Sequence, residues 1–371
     1  MTRTLLLFDG LGGRVDTLLP MLGELYRRPD NHLYFHQVCT VLDAVTAYVG
    51  DEARTVLPPG GLALRTWLES PLAPETLTNS VVAGVCVHVL QVCHLQPTRD
   101  LVGDQVVAAL GHSIGLQAAL VAGLRLRRMD RFLEVAAAAL RLVALSLVRG
   151  HQATDGTTVG PEQAGRYLAR DRRGAPPGPM ATVTGLHRDD LTALLRRHQD
   201  TGGRSLSLSL VNAPTAQVLS GTPAELLDFY FAHQDHFARS GVDWAFLPNT
   251  IPFHSDHLLP AVRRVRQDLG FVGPLPGPEQ LVLPVYATDT PRNLQHATDL
   301  TDEYLHQVLV RPVEWERATA YAIRDARVQR VVDCGPGPGA RRYVRECLTT
   351  GARNLRFEPV HRSARRREEN T

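Results

Sequence analysis

The stretch Val106-Val107-Ala108-Ala109-Leu110-Gly111-His112-Ser113-Ile114-Gly115 narrows the choice of fold more than any other part of the chain. Apolar residues run into Gly-His-Ser-Ile-Gly, and an apolar helical pattern from Leu116 to Gly123 follows at once, so the reading is strand, tight turn, helix. Glycine on either side of Ser113 matters because a Cβ there would collide with the neighbouring strand or helix, and so sharp a turn thrusts the serine oxygen out above the strand end. This is the form of a nucleophile elbow on a large α/β-hydrolase-like sheet. A glycine-rich connection whose serine merely caps the helix is the competing reading.

Around the elbow, Thr4 to Phe8 reads as a buried strand ending in the glycine turn Asp9-Gly10-Leu11-Gly12-Gly13-Arg14. Helical patterns cover Asp16 to Arg27, Val38 to Val49, Leu62 to Leu68 and Val81 to Leu95, the last a buried core helix. Asp130 is the expected N-cap of a helix from Arg131 to about Arg149. His151 to Pro179, rich in Gly, Pro, Thr, Asp and Arg, reads as a mobile connection. Strand 180–183, helix 189–198, strands 205–211 and 216–219, helix 224–231 and strand 244–247 then follow in ferredoxin-like β-α-β-β-α-β order. After the return through Ile251-Pro252-Phe253-His254 come helices 258–269, 301–308 and 315–323, strands 281–286 and 328–333, and a Gly335-Pro336-Gly337-Pro338-Gly339 turn opening a helix over 341–348. Residues 1–178 and 250–360 are therefore expected to build the large α/β domain, 179–249 an inserted ferredoxin-like small domain, and 361–371 a flexible tail.

Composition removes several classes of chemistry. All 40 basic residues are arginine, so lysine Schiff bases and P-loops are excluded. A net charge of +2 argues against nucleic acid or a membrane as the partner. Five scattered cysteines without CxxC spacing, and no N-terminal signal peptide, point to a reduced cytoplasmic protein. His254 and His257, or His32 and His36, have metal-ligand spacing, but neither pair has an evident third ligand.

A serine hydroxyl becomes a nucleophile only when a base takes its proton. His254 is the candidate, because it stands where the chain re-enters the core after the small domain. His112, next to Ser113, must point away from it and would line the pocket. Acyl chemistry also needs donors for the developing oxyanion, each worth about 3 kcal/mol of barrier. The backbone N–H groups of Ile114 and Leu11 are the candidates.

Taken together the motifs resemble those of the malonyl/acetyl transacylase family, the acyltransferases of fatty acid and polyketide synthesis. Phe8-Asp9-Gly10-Leu11-Gly12, Gly111-His112-Ser113-Ile114-Gly115, Val211-Asn212-Ala213-Pro214 with Leu219-Ser220-Gly221, Pro252-Phe253-His254-Ser255, Arg311-Pro312-Val313-Glu314-Trp315 and Asp333-Cys334-Gly335-Pro336-Gly337 match its motifs in order over nearly the whole chain. Gly61-Leu62 through Trp67-Leu68-Glu69-Ser70-Pro71, the helix ending Val148-Arg149, the Pro252-Phe253-His254-Ser255 form and Pro284-Val285-Tyr286 look closer to the acetyltransferase domain of type I fatty acid synthases and to starter-unit transacylase domains. The resemblance implies a Ser113–His254 dyad and ping-pong transfer through a Ser113 ester. It also implies acyl-CoA and acyl carrier protein as partners, no bound cofactor, and a coenzyme A or phosphopantetheine thioester as substrate. His112, Ser146 and Asn212 would belong to the substrate pocket.

Two positions depart from the pattern. Leu11 replaces the glutamine of the family's first turn, and Ser146 falls where malonyl-specific members carry their carboxylate-binding arginine. A malonyl carboxylate buried without that partner would lose roughly 3 to 5 kcal/mol, so a neutral acyl group, acetyl or larger, is expected. Arg149 or Arg141 swinging in to bind a carboxylate is the alternative at this point. The glutamine that the family often places before its PVxW element has no clear counterpart, Gln307 being one residue off. An acyl hydrolase with the same dyad, or a non-catalytic carrier-docking module, would carry similar motifs.

Overall fold

A computed structural model describes residues 2–11, 15–70, 76, 78–99, 101, 105–154, 159–170, 176–203, 206–348 and 355–360. Gly12 to Arg14 and the tail 361–371, both named above, lie outside the described residues.

The large sheet is parallel throughout, which explains why its strands read as unbroken apolar runs rather than alternating ones: both faces are covered. Its centre is β1 (Thr4–Phe8), in which Leu5 to Phe8 are wholly buried. Helices α1 (Val15–Tyr26), α2 (His32–Val49), α3 (Leu64–Glu69) and α4 (Ser80–Cys93) follow before β2 (Val106–Gly111). The start of α4 is held by Asn79, whose side chain accepts the N–H groups of Val81 and Val82. The elbow leads into α5 (Gly115–Gly123), and α6 (Met129–Gln152) returns along it. Its N-cap is Arg128 rather than Asp130; the aspartate lies in the first turn, where its carboxylate pairs with Arg128.

The span expected as a connection contains a helix, α7 (Pro161–Leu168). Proline at its first turn favours initiation, and buried Tyr167 stacks edge-on against Tyr230 and Phe246. The small domain follows as β3 (Met180–Thr184), α8 (Arg188–Asp200), β4 (Ser207–Ala213), β5 (Ala216–Ser220), α9 (Pro223–Ser240) and β6 (Asp243–Phe246). Helix α9 carries a reciprocal capping box between Thr222 and Glu225 and ends on Gly241 at φ 65°, the left-handed stop that glycine permits.

The return segment contributes α10 (Leu259–Val272), β7 (Val285–Tyr286), α11 (Leu300–Leu305) running into a π-helical turn at His306–Val310, β8 (Val313–Glu314), α12 (Trp315–Asp325), β9 (Arg330–Asp333), α13 (Gly339–Cys347) and β10 (Arg356–Pro359). The strand expected over 281–286 shrinks to its last two residues. Val282 and Leu283 spend their N–H groups on the Gly123 carbonyl, and Pro284 has none to offer the ladder.

The large sheet runs β10-β9-β1-β2-β7 and the small one β6-β3-β5-β4-β8. In the small sheet β8 pairs parallel with β4, so a strand from outside 179–249 completes it. That pairing bears on the site, because it ties the return segment to the small domain. In the large sheet β1 has β2 on one side and β9 on the other. Chain connections therefore diverge at β1, and the crevice above its carboxyl end is where such sheets place ligands. The glycine turn after β1, the elbow after β2 and the Gly335–Gly339 turn after β9 all meet there.

Candidate active site

Backbone packing dictates where Ser113 sits. A Cβ on Gly111 would lie 2.3 Å from the Gly115 carbonyl carbon and oxygen, and one on Gly115 would lie 2.6 Å from the Asp9 carbonyl oxygen. Neither neighbour can move, because both are main chain, so the elbow tolerates glycine alone at these positions. Between them Ser113 adopts φ 51°, a strained value for a residue with a side chain.

His254 has the same peculiarity, with φ 58°. Its backbone is held from several directions at once. The Ser209 hydroxyl of β4 donates to the His254 carbonyl at 3.2 Å, and the Ser220 hydroxyl of β5 donates to the Phe253 carbonyl at 2.8 Å. Ser255 donates its N–H to the Leu309 carbonyl and its hydroxyl to the Pro252 carbonyl. The small sheet and the π-helical turn thus jointly fix a conformation that costs about 1–3 kcal/mol on its own.

The result is contact across 141 positions of sequence: Ser113 Oγ lies 2.8 Å from His254 Nε2. His254 Nδ1 lies 3.0 Å from the Arg311 carbonyl oxygen. A carbonyl only accepts, so Nδ1 carries the proton and Nε2 is left bare to receive the Ser113 hydroxyl hydrogen. Burial holds the imidazole at about 4, with the Arg311 carbonyl working in the opposite direction and His112 adding to the depression. That depression favours the neutral imidazole near neutral pH.

His112 points away from Ser113, as expected, and donates Nε2–H to Asn212 Oδ1 at 2.8 Å. It packs edge-on against Trp315, and burial lowers it to about 4. His112 and Asn212 are therefore brought together across the two sheets. The N–H of Gly10 is taken by the Asp9 carboxylate at 2.9 Å, whereas those of Leu11 and Ile114 carry no hydrogen bond among the described residues.

Ser146 is buried on α6; the residue after it, Leu147, approaches Ile114 of the elbow across Gly84 of α4, whose missing side chain leaves the room. Its hydroxyl turns back to the Leu142 carbonyl at 2.7 Å and faces the phenol of Tyr304. Arg149 is not free to substitute for the missing cation. Arg149 is buried against Asp268 at 2.8 Å, with Glu52 and Gln152 completing its bonds, and Arg141 donates to the Val272 carbonyl.

Several contributors escaped the reading of the sequence. Gln91 of α4 donates to the carbonyls of both Asp9 and Gly335, at 2.7 and 2.8 Å. Its only signal was a polar residue inside an apolar helix. Gln307 has its side chain on the Thr288 N–H and on Glu303, while its backbone carbonyl and that of Arg311 face His254. Backbone carbonyls leave no trace in residue type. His254 and His257 do not pair as metal ligands: His254 is turned to Ser113 and His257 toward Glu225. His32 and His36 lie exposed on α2, and the described residues contain no cluster of three or more metal-ligating side chains.

No protein-family model matches the chain. Curated relatives include fatty acid synthase beta subunits; stcK of Emericella nidulans is 30% identical over an alignment of 310 residues that covers 75% of this chain and 16% of that protein. The chain spans about a seventh of the length of the curated relatives it matches. Among solved structures, the malonyl CoA-acyl carrier protein transacylase of Coxiella burnetii superposes with a TM-score of 0.67 at 18% identity, covering 98% of each chain. A malonyl-transacylase in complex with its type II PKS acyl-carrier protein superposes with a TM-score of 0.63 at 17% identity, covering 100% of each. The fold is that of these transacylases.

Proposed function

We propose that this chain, a relative of the fatty acid synthase beta subunits with the transacylase fold, is an acyltransferase. It moves a non-carboxylated acyl group between phosphopantetheine thioesters of coenzyme A and an acyl carrier protein. The observation that carries this reading is the 2.8 Å contact between Ser113 Oγ and the bare Nε2 of His254.

The steps follow from the geometry. His254 Nε2 takes the hydroxyl proton as Ser113 Oγ attacks the thioester carbonyl. The oxyanion of the tetrahedral intermediate receives the N–H groups of Leu11 and Ile114, which hold no other bond among the described residues. Collapse breaks the carbon–sulfur bond, the departing thiolate takes the proton back from His254, and the acyl group remains as a Ser113 ester. The carrier thiol then gives its proton to Nε2, attacks the ester and restores Ser113. His112, anchored on Asn212, and buried Ser146 form the walls around the acyl group. The neutral-acyl preference rests on Ser146 offering no positive charge and on Arg149 being spent on Asp268. The solved complex of a malonyl-transacylase with its acyl-carrier protein supports a carrier as partner here.

Intact-mass analysis after mixing the protein with acetyl-CoA, hexanoyl-CoA or malonyl-CoA tests the reading. A mass increase at Ser113 with the neutral acyl groups, absent in Ser113→Ala and passed on to an added acyl carrier protein, is expected. Release of the acyl group to water at the same rate with and without carrier would make the protein a hydrolase instead. Absence of any Ser113 ester would refute the proposal.

A further inference from the structure

Between β1 and the Leu11 turn stands Asp9, a buried carboxylate that the acyl-transfer steps above do not use. Its bonds converge from three parts of the chain. One oxygen accepts the N–H of Gly10 at 2.9 Å and that of Ala340 at 3.1 Å; the other accepts Gly339 N–H at 3.1 Å. Gly339 and Ala340 open α13, and the missing side chain of Gly339 makes the approach possible, since a Cβ there would lie 3.1 Å from the carboxylate. The Asp9 main chain is tied as well, through its N–H to the Gly335 carbonyl and its carbonyl to Gln91.

We infer that Asp9 is a positioning residue: its ionised carboxylate clamps the Gly10–Leu11 turn to the first turn of α13 and so aims the Leu11 N–H at the reacting carbonyl. This rests on the reading of Ser113 as the acyl-carrying residue. Two features of the geometry support it. A Cβ on Gly10 would lie 2.8 Å from His112 Nδ1 and 3.3 Å from Ser113 Cβ, so the turn is packed directly on the nucleophile. And the carboxylate consumes the Gly10 N–H, leaving the next amide, that of Leu11, as the turn's donor.

Every hydrogen-bond partner of the Asp9 carboxylate among the described residues is an N–H donor, so protonation would put an O–H among donors. The clamp is therefore sensitive to charge. The charged and titratable groups around it are Asp333 at the end of β9, Arg341 of α13, which lies 3.5 Å from Asp333, and His112 against Gly10. Burial first, and the like charge of Asp333 to a smaller extent, push the Asp9 carboxyl up to about 7, against the pull of the three N–H bonds. Burial holds His254 down at about 4, well below Asp9, which separates the two groups on a pH profile.

The experiment is the pH dependence of Ser113 modification between pH 5 and 9, in the wild type and in Asp9→Asn. Single-turnover acetylation by acetyl-CoA and labelling by a fluorophosphonate are both followed by mass, with thermal melts to establish folding. The wild-type rate should fall about tenfold per pH unit below 7 with either reagent. Asp9→Asn should react about a hundredfold more slowly at pH 8, as when an oxyanion donor is lost, with a flat profile and little change in KM for acetyl-CoA. A purely structural cap would leave the shape of the profile alone. A wild-type profile flat from pH 5.5 to 8 overturns the clamp, and this holds even where Asp9→Asn does not fold. So does a folded Asp9→Asn that keeps the wild-type rate and acid limb. If acetyl-CoA leaves no ester while the fluorophosphonate labels Ser113, the transacylase reading fails and the phosphonate profile still decides the role of Asp9.

Discussion

Ser113 and His254 both sit at positive φ, and neither has the glycine that would make such a conformation cheap. The strain is held by neighbours that also do the aiming: Gly111 and Gly115 at the elbow, Ser209, Ser220 and Leu309 at the histidine. The proposed preference for a neutral acyl group also rests on a single residue. Ser146, with its hydroxyl returned to its own helix and the phenol of Tyr304 beside it, offers hydroxyl groups but no positive charge to a carboxylate. Ser146→Arg, combined with Tyr304→Phe to remove the phenol oxygen facing Ser146, should raise the malonyl-to-acetyl loading ratio at least tenfold, because it supplies a buried cation for the malonyl carboxylate. Competition between the two acyl-CoAs, read by mass of the Ser113 ester, checks this; an unchanged ratio would remove Ser146 from the pocket.

The elements confirm most of what periodicity and capping indicated, and depart from it where tertiary contacts override local signals. Helix α4 has a polar N-cap and an almost wholly apolar body, and it is buried accordingly. The connection after α6 contains α7 because Tyr167 finds an aromatic pocket on the small domain, something no local pattern announces. The π-helical turn after α11 begins one residue before Gln307 and inserts the extra residue that brings the Gln307 and Arg311 carbonyls to the histidine. At this scale the elbow itself is testable. Gly111→Ala drives a methyl group into the main chain of Gly115 and Leu116, so it should cost more than about 4 kcal/mol and abolish Ser113 labelling. Urea unfolding followed by circular dichroism measures the loss; a variant of wild-type stability would show that the strand and helix can separate without penalty.

Among the described residues, His88, His112 and His254 are buried and held well below the ordinary value, His88 to about 3 and the other two to about 4, burial being the main cause in each. Their folded pKa values lie below the unfolded 6.5, so the stability they contribute is complete above that pH and is lost as the pH falls toward 4. Asp9 runs the other way: its raised pKa favours the folded state below about 4, a benefit lost as the pH rises through 7. Between pH 4 and 6.5 the three histidines outweigh Asp9, so the net contribution of these four groups to stability should rise with pH. His88, with neither ring nitrogen hydrogen-bonded and no part in the site, isolates the effect. His88→Leu should melt higher than the wild type at pH 5, by more than at pH 8, in scanning calorimetry. A parallel shift at both pH values would count against the histidine account.

The elbow that carries Ser113 and the layered α/β fold with its ferredoxin-like insert could be read from the chain because each depends on local requirements. Glycines flank a turn too tight for Cβ atoms, apolar runs mark strands covered on both faces, and capping residues mark helix ends. What residue types cannot express is which groups meet. The 2.8 Å contact of Ser113 with His254, the Arg311 carbonyl that selects the histidine tautomer, and the β8 strand lent to the small sheet depend on long-range packing. So does the fate of the arginines: in the sequence Arg149 was free to reach a carboxylate, and in the folded protein it is closed off by Asp268, 119 positions away. Local sterics and hydrophobic period are written in sequence neighbours, whereas orientation, charge pairing and proton position are properties of groups that only the tertiary structure brings within hydrogen-bonding distance.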